Sequence, residues 1–279
     1  MEITENDLEL FFSTVKQVSS YDFTEYSEKS LKRRLERILS ENHIDFKMLI
    51  QKIIKDSNFL EKTVKDITVN TTELFRDPEV WQEIRFRVLS KVKDKKEINI
   101  WHAGCSTGQE VYSLAIMLNE LGILEKSNIY ASDLNTDVLN VAKKGEYRYR
   151  FNLSYLENFD KVLKENKYNY IDENEVDYNK YFTIDSSKDK IKIHDFLRKK
   201  PIYSIKDLTK KDNFPPETFD IIFCRNVLIY FNLQLQNKVI DSFRKNLKEG
   251  GFLILGKHES LLGYMEGKFN KKGKFYQKI

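Results

Sequence analysis

The sequence has few cysteines and histidines and no long apolar run, and each shortage excludes a class of protein. Its 279 residues include two cysteines, Cys105 and Cys224, too few for a disulfide framework. The four histidines match no metal-ligand spacing, so we expect no metal site. No apolar stretch approaches the roughly 18 residues of a membrane span, and the opening MEITENDLELFF is acidic where a signal peptide is basic. These absences predict a cytoplasmic protein without membrane insertion.

A loop with two glycines lies in NIWHAGCSTGQEVYSLAIML, between an apolar strand-like start and a helix-like run. Gly104 and Gly108 let the backbone bend or approach a ligand closely. The G-x-x-x-G spacing lacks the G-x-G-x-x-G of dinucleotide folds and the Gly-Lys-Ser/Thr ending of nucleotide triphosphate loops. The loop therefore predicts a small-molecule contact, with Gly104 in the site, and phosphate is not the first candidate.

The pattern of apolar residues changes along the chain. Up to about residue 90, apolar positions recur at helical spacing and no strand-like alternation is present. From Ile98, apolar strands alternate with helices, which predicts a mostly parallel α/β sheet. The final GKFYQKI follows no crossover helix and is expected to pair antiparallel with GFLILG. We place a helical N-terminal domain at 1–75, a linker helix at 76–94 and a catalytic domain at 95–279, with a small β insertion at about 150–200.

The helical part contains one strongly basic segment. In YSEKSLKRRLERILSENH, three arginines and two lysines fall on about three turns of a predicted helix. A charge run this short is, by itself, more often a solvated face than a binding site. The net charge of +4 is small for this length and does not indicate a nucleic-acid partner.

Polar residues follow the strands at the points where the strands end. In chain order they are Glu110, Asp133, Asp207, Arg225 and Asn226. The carboxyl ends of parallel strands share one edge of the sheet, where ligands bind. Asp133 is placed for ribose hydroxyls and Asp207 for an adenine amino group, although each alone is also typical of a helix cap. Together they predict an adenosine ligand, and the cationic S-adenosylmethionine suits an acidic edge.

Five sequence blocks are spread over nearly the whole chain: VNTTELFRDPEVW, WHAGCSTGQEVYSLA, ASDLNTDVLNVAKKGEYR, FDIIFCRNVLIYF and GGFLILGKHESL. In this order, they resemble the blocks of the CheR-type chemotaxis receptor glutamate methyltransferases. The resemblance implies a Rossmann-like S-adenosylmethionine-dependent methyltransferase sheet, mostly parallel with its last strand antiparallel, an all-helical N-terminal domain and a small β insertion. It implies S-adenosyl-L-methionine as cofactor and S-adenosyl-L-homocysteine as product. The implied cofactor contacts are Asn70, Thr72, Arg76, Glu110, Asp133, Asp207, Leu208, Asn226 and Val227.

The sequence departs from the family pattern in two places. Gly256, Lys257, His258 and Glu259 stand where the family commonly has Gly-His-Ser-Glu, and Gln109 stands where the family has a first glutamate after the loop. The insertion docks a receptor tail in some family members, and the sequence leaves that role open here.

The implied reaction is methylation of glutamate carboxylates on the cytoplasmic helices of methyl-accepting chemoreceptors, which sets chemotaxis adaptation. A carboxyl with a pKa of about 4.3 is already ionised at neutral pH, so the enzyme needs alignment rather than a general base. Arg76 and Tyr230 are the catalytic candidates. Arg76 is suited to grip the acceptor's carboxylate or the cofactor's, and Tyr230 either lines the acceptor slot or is a half-buried aromatic. The arginines Arg33, Arg34 and Arg37 become candidate contacts for glutamate-rich receptor helices.

Two other functions stay open. One is a methyltransferase with the same cofactor fold that acts on another substrate, a nucleic acid or a small molecule. Enzymes that methylate the amino groups of bases usually have an Asn/Asp-Pro-Pro-aromatic block after the fourth strand, but CRNVLIYF occupies that place and FPPE precedes the strand. A module that binds the cofactor and docks on receptors without catalysis is distinguished only by testing methyl transfer. We expect no nucleic-acid partner and a monomer.

Overall fold

The structure is a computed structural model that describes five stretches of the chain. They are 3–68, 72–150, 153–164, 176–210 and 218–279. In these stretches, every helix is too short or too polar to cross a membrane.

The chain divides into two compact units, and each has its own apolar core. The helical unit comprises Met1–Val69 and Val227–Val239, and the α/β unit comprises Asn70–Asn226 and Ile240–Ile279. The segment Val227–Val239 thus groups with the N-terminal helices although it lies far along the sequence. The predicted boundaries at residues 75 and 94 stay predictions.

Side-chain caps and apolar stripes form the helices of the helical unit. The Thr4 hydroxyl accepts a hydrogen bond from the Asp7 N–H, and the Asp7 carboxylate accepts one from the Thr4 N–H, which closes a capping box. Asp45 and Asp56 cap the third and fourth helices. Residues 3–68 confirm the prediction of an all-helical N-terminal domain. The helices are α1 (Glu5–Val18), α2 (Glu28–Asn42), α3 (Phe46–Lys55) and α4 (Ser57–Ile67).

The segment from 227 joins the helical unit through backbone pairing. Tyr26 and Phe231 form an isolated antiparallel bridge, and their rings lie 5.2 Å apart edge to face. The Ser27 N–H donates to the Tyr230 carbonyl at 2.8 Å. These contacts fix Tyr230 at the start of α2, which carries the basic segment.

The α/β unit is built on a sheet of seven described strands in the order β6-β2-β1-β7-β8-β10-β9. The strands β6, β2, β1, β7 and β8 pair in parallel, and β10 pairs antiparallel with β8 and β9. The predicted fold class and its antiparallel last strand are therefore confirmed. The strands are β1 (Ile98–Ala103), β2 (Ser127–Asp133), β6 (Ile202–Ile205), β7 (Phe219–Cys224), β8 (Leu247–Leu255), β9 (Phe269–Lys272) and β10 (Phe275–Lys278).

A second sheet has the order β3-β5-β4 and is antiparallel throughout. It confirms the small β insertion, since KYFTIDSSKDKIKI forms β4 (Phe182–Asp185) and β5 (Lys190–Ile193) around a polar turn. Two very short strands were not predicted. They are β3 (Glu146–Arg148), directly after a helix, and the edge strand β9, FNKK.

Helices precede and connect the strands of the α/β unit. Pro78 starts the first of them, where its missing N–H costs nothing. A π-helical stretch, Ile84–Leu89, interrupts the region where a linker helix was predicted. The α-helices are α5 (Pro78–Glu83), α6 (Ser90–Val92), α7 (Gln109–Glu120), α8 (Thr136–Lys144), α9 (Leu153–Leu163), α10 (Asp195–Arg198) and α11 (Leu233–Asn246), which crosses the division between the units.

Gly108, the N-cap of α7, allows α7 and α8 to approach closely. Its φ of 90° is in the region that favours glycine, and a Cβ there would lie 2.8 Å from the Cβ of Ala142. Gly122 also has a positive φ, 67°, but nothing lies within 4 Å of the place a Cβ would take. A comparison of substitutions at Gly108 and Gly122 therefore separates the cost of a left-handed backbone from the cost of a steric clash.

We expect Gly108→Ala to destabilise the protein more than Gly122→Ala. Gly122→Ala is destabilised only by the strain of a left-handed backbone, about 1 kcal/mol. Gly108→Ala adds a clash between helices that costs about 1 to 3 kcal/mol more. Urea unfolding followed by circular dichroism measures both variants. Equal losses would show that α8 moves away freely.

Candidate functional site

The glycine loop lies at the carboxyl end of β1, where backbone hydrogen bonds tie it to β2. Gly104, Ser106 and Gly108 all have positive φ values, of 80°, 50° and 90°. The N–H groups of Gly104 and Cys105 donate to the Ser132 carbonyl at 2.8 and 2.9 Å. The loop is therefore held in one conformation with its backbone close to the end of β2.

Asp133, the last residue of β2, links the loop to the next helix. Its Oδ2 accepts from the Ser106 N–H at 2.8 Å, and its Oδ1 accepts from the Asn135 N–H at 3.0 Å. Burial raises the pKa of the Asp133 carboxyl and outweighs the backbone N–H groups that lower it. A carboxylate has about four acceptor positions. Asp133 thus keeps acceptor capacity for hydroxyl donors.

Glu110 lies in the first turn of α7, with its side chain 15% exposed. Its Oε1 lies 2.9 Å from Nδ1 of His102, and its Oε2 accepts from Arg225 at 3.4 Å. Burial alone would raise the pKa of Glu110, but the contacts with His102 and Arg225 lower it below its usual value. Since an ionised carboxylate only accepts, Nδ1 of His102 carries the proton.

Arg225 is a buried cation directly after β7, with its side chain 2% exposed. Its Nη2 donates to the Asp77 carboxylate at 2.8 Å and to the Arg76 carbonyl at 3.0 Å. Its guanidinium also lies 5.7 Å from the centre of the Trp81 ring. The sequence placed Arg225 at the edge where the strands end but gave it no role, and His102 was not predicted at all. The position of Arg225 directly after the wholly buried strand FDIIFC was the signal that found it.

Residues 72–77 lie against α7 and α9. The Tyr155 hydroxyl donates to the Thr72 carbonyl at 3.1 Å, and the Phe75 N–H donates to Oγ of Ser113 at 2.8 Å. The Arg76 side chain is 36% exposed, and its Nε is 3.9 Å from Glu73. Two of the predicted contacts in this block, Thr72 and Arg76, are thus in the α/β unit. Asn70 lies outside the described residues.

Asp207 and Leu208 follow β6, the strand beside β2. Asp207 is buried, and its Oδ1 accepts from the N–H and hydroxyl of Thr209 at 2.9 and 2.7 Å. The Lys206 N–H donates to the Asp133 carbonyl at 3.1 Å, which brings the Asp207 segment to the end of β2. Leu208 is half-buried. The sheet therefore places the two aspartates predicted to hold adenosine at the carboxyl ends of neighbouring strands.

Asn226 is held by Glu259, from the segment that departs from the family pattern. Oε2 of Glu259 accepts from the N–H groups of Asn226 and Gly256, both at 2.7 Å. Asn226 has a φ of 59°, in the left-handed region. Lys257 pairs with Glu79 of α5 at 3.1 Å. Glu259 thus joins the ends of β7 and β8.

The other predicted residues belong to the helical unit. Val227 and Tyr230 are half-buried, and Tyr230 ends a 3₁₀ turn, Leu228–Tyr230. On α2, Arg33 and Arg37 are exposed and Arg34 is half-buried. Arg37 pairs with Glu41 at 2.6 Å.

Two family models match the sequence. The one described as "CheR methyltransferase, SAM binding domain" matches residues 70–276, and the one described as "CheR methyltransferase, all-alpha domain" matches residues 6–68. Their junction coincides with the division between the two units near residue 69.

Curated relatives are similar over almost the full length of the chain. The methyltransferase Cher3 of Pseudomonas putida is 33% identical over 266 residues, covering 92% of this chain and 90% of the relative. A chemotaxis protein methyltransferase of Listeria innocua is 28% identical, covering 92% and 91%. That of Borreliella burgdorferi is 29% identical, covering 94% and 91%.

The opposite pKa shifts of Glu110 and Asp133 predict opposite pH effects on stability. The folded pKa of Glu110 is lowered, so its ionised form stabilises the fold above its unfolded pKa, and this is lost as pH falls through the folded value. The folded pKa of Asp133 is raised, so its ionisation costs stability as pH rises through the window between its unfolded and folded values.

We therefore expect the stability gain between about pH 4 and about pH 7 to shrink in Glu110→Gln and to grow in Asp133→Asn. Urea unfolding of the wild type and both variants at the two pH values measures it. The same sign for both variants would contradict the assigned shifts.

Proposed function

The chain belongs to the CheR methyltransferase family and is an S-adenosylmethionine-dependent methyltransferase, and on that premise we propose that it methylates glutamate side chains of chemoreceptors. One observation carries the proposal for the site: Asp133 and Glu110 lie beside the strained glycine loop at the carboxyl ends of β2 and β1. Ligands bind at this end of parallel sheets.

The chemistry of these side chains fits the cofactor. The adenosine part offers hydroxyl and amino donors, and Asp133 and Asp207 are acceptors with unused positions. The methionine part carries a sulfonium and an ammonium, which favour a surrounding of carboxylates. We assign Asp133 to the ribose, Asp207 with Leu208 to the adenine, and Gly104, Glu110, Asn226 and Val227 to further contacts. Asn70 and Thr72 remain assigned by the family pattern.

A glutamate acceptor needs no general base. Its carboxylate is ionised at neutral pH, so its oxygen is already a nucleophile. When bound, S-adenosylmethionine supplies a methyl group that leaves its sulfur as the new carbon–oxygen bond forms, and no proton has to be removed. The protein therefore has to align the acceptor and exclude water.

Arg76 is our candidate for holding a carboxylate during the reaction. Its only ion pair among the described residues is the long contact of 3.9 Å with Glu73, and its side chain is partly exposed. A guanidinium in this condition is available to bind a carboxylate with two parallel hydrogen bonds. Tyr230 remains a prediction for the acceptor slot.

The basic face of α2 suits an acidic helical partner. Lys29, Arg33 and Arg37 are exposed and repeat every four residues, so they form one stripe along the helix. Arg34 lies partly beneath the surface, and its Nε has no hydrogen-bond partner among the described residues. We assign this stripe to the glutamate-rich helices of chemoreceptors, whose negative charge it complements.

The proposed function is tested by methyl transfer to a chemoreceptor. Radiolabelled S-adenosylmethionine is incubated with the protein and membranes that contain a chemoreceptor, and label is scored as base-labile methyl ester. We expect base-labile label on the receptor. Base-stable label would indicate another substrate group, and cofactor binding without transfer would indicate a docking module.

The two roles of Arg76 are separable by kinetics. If Arg76 positions the acceptor, Arg76→Lys keeps the charge but loses the planar fork, and Arg76→Ala loses both. We then expect turnover at saturating cofactor to fall in both, by about 100-fold in Arg76→Ala. If Arg76 binds the cofactor's carboxylate, saturating cofactor restores turnover. Wild-type turnover and affinity in Arg76→Ala would remove the residue from the site.

The assignment of the α2 stripe predicts a salt-dependent loss. Arg33→Glu with Arg37→Glu should lower the rate of receptor methylation by about tenfold at low salt and less at high salt. The matched control is Lys47→Glu with Lys55→Glu, which makes the same charge change at exposed positions of α3. Calorimetry with S-adenosylhomocysteine should show unchanged binding for both pairs. An equal loss of rate in the control would contradict a specific face.

A further inference from the structure

The hydrogen bonds of Arg225 join two parts of the α/β unit that the proposed reaction uses. One partner is Glu110 in the first turn of α7, and the others are the carbonyl of Arg76 and the carboxylate of Asp77. These partners are 115 and about 150 residues away in sequence. Arg225 is thus the shared partner of a proposed cofactor residue and of the backbone that carries Arg76.

Because Arg225 is buried, its charge has to be compensated by neighbouring groups. A cation whose side chain is 2% exposed is tolerated only when it is paired and hydrogen-bonded. Arg225 pairs with two carboxylates and donates to one carbonyl through its Nη1 and Nη2 atoms, while its buried Nε has no hydrogen-bond partner among the described residues. A lysine has a single ammonium at the end of a flexible stem and does not reproduce this geometry.

The backbone around Arg76 depends on an outside contact to keep its shape. Phe75 and Asp77, on either side of Arg76, have φ values of 51° and 57°. Residues other than glycine hold such conformations only when their surroundings fix them. The Phe75 N–H is fixed by Ser113, and the Arg76 carbonyl and Asp77 carboxylate are fixed by Arg225.

The Arg76 side chain has little of its own to fix it. Its long contact with Glu73 is worth little at a partly exposed site. The direction in which its guanidinium points is therefore set mainly by the backbone from which it extends.

We propose that Arg225 is a positioning residue for methyl transfer, which holds Arg76 through its backbone and Glu110 through its carboxylate in one fixed arrangement. Arg225 acts through these two residues and does not itself touch the reacting atoms. The expected effect on kcat rests on the proposed function. The expected effect on the backbone of residues 76–83 does not.

The test compares Arg225→Lys with Arg85→Lys. Arg85 is a matched control in the same unit, because it is a half-buried arginine that donates to the carbonyls of Val162 and Leu163 at the end of α9. We expect kcat of Arg225→Lys at saturating cofactor and receptor to fall by about 10- to 100-fold, with KM for the receptor nearly unchanged. Arg85→Lys should keep the wild-type kcat.

A second readout needs no acceptor. Hydrogen exchange of backbone amides in residues 76–83, measured with S-adenosylhomocysteine bound, should accelerate by about tenfold in Arg225→Lys and stay at the wild-type rate in Arg85→Lys. If the wild type transfers no methyl group to glutamate, the proposed function fails, while this exchange measurement still decides the positioning role.

Two results would overturn the inference. One is a folded Arg225→Lys with wild-type kcat. The other is a fall in kcat without faster exchange in residues 76–83. If Arg225→Lys does not fold, Asp77→Asn replaces it, because it keeps the shape of the side chain and weakens the pair with Arg225. Wild-type kcat and exchange in folded Asp77→Asn would likewise overturn it.

Discussion

A buried positive charge governs the edge of the sheet where the site lies. The guanidinium of Arg225 is buried at the end of a wholly buried strand, so it is stable there only if carboxylates pair with it. Glu110 and Asp77 do so from different elements, and His102 then takes the remaining oxygen of Glu110. The start of α7, the turn before α5 and the end of β7 are thereby fixed to one another.

The main features of the fold follow from local patterns. Strands alternate with helices from Ile98 onward, and such a pattern has one common solution, a parallel sheet. The absence of a crossover before β10 leaves antiparallel pairing as the short connection. The strands β3 and β9 were missed because three or four residues are too few to show a period. The division that assigns Val227–Val239 to the helical unit depends on tertiary contacts that no local pattern shows.

Part of the candidate site could be predicted from the sequence because of sheet topology rather than local pattern. The topology of a parallel sheet places the residues that follow its strands at one edge, so Glu110, Asp133 and Asp207 could be predicted to lie there without knowledge of their partners. The partners could not be found in this way. The contacts of Arg225 with Glu110 and Asp77 join residues 115 and 148 positions apart, and that of Glu259 with Asn226 spans 33. Such pairs are set by three-dimensional packing.

The edge strand β9 has a consequence for self-association. An unpaired strand edge is a template on which another chain can add its own strand. Here the outermost strand reads FNKK, and Lys271 and Lys272 are exposed on it. A second copy that approached this edge would bring like charges together, so the β9–β10 hairpin that completes the sheet also disfavours edge-to-edge pairing at its own edge.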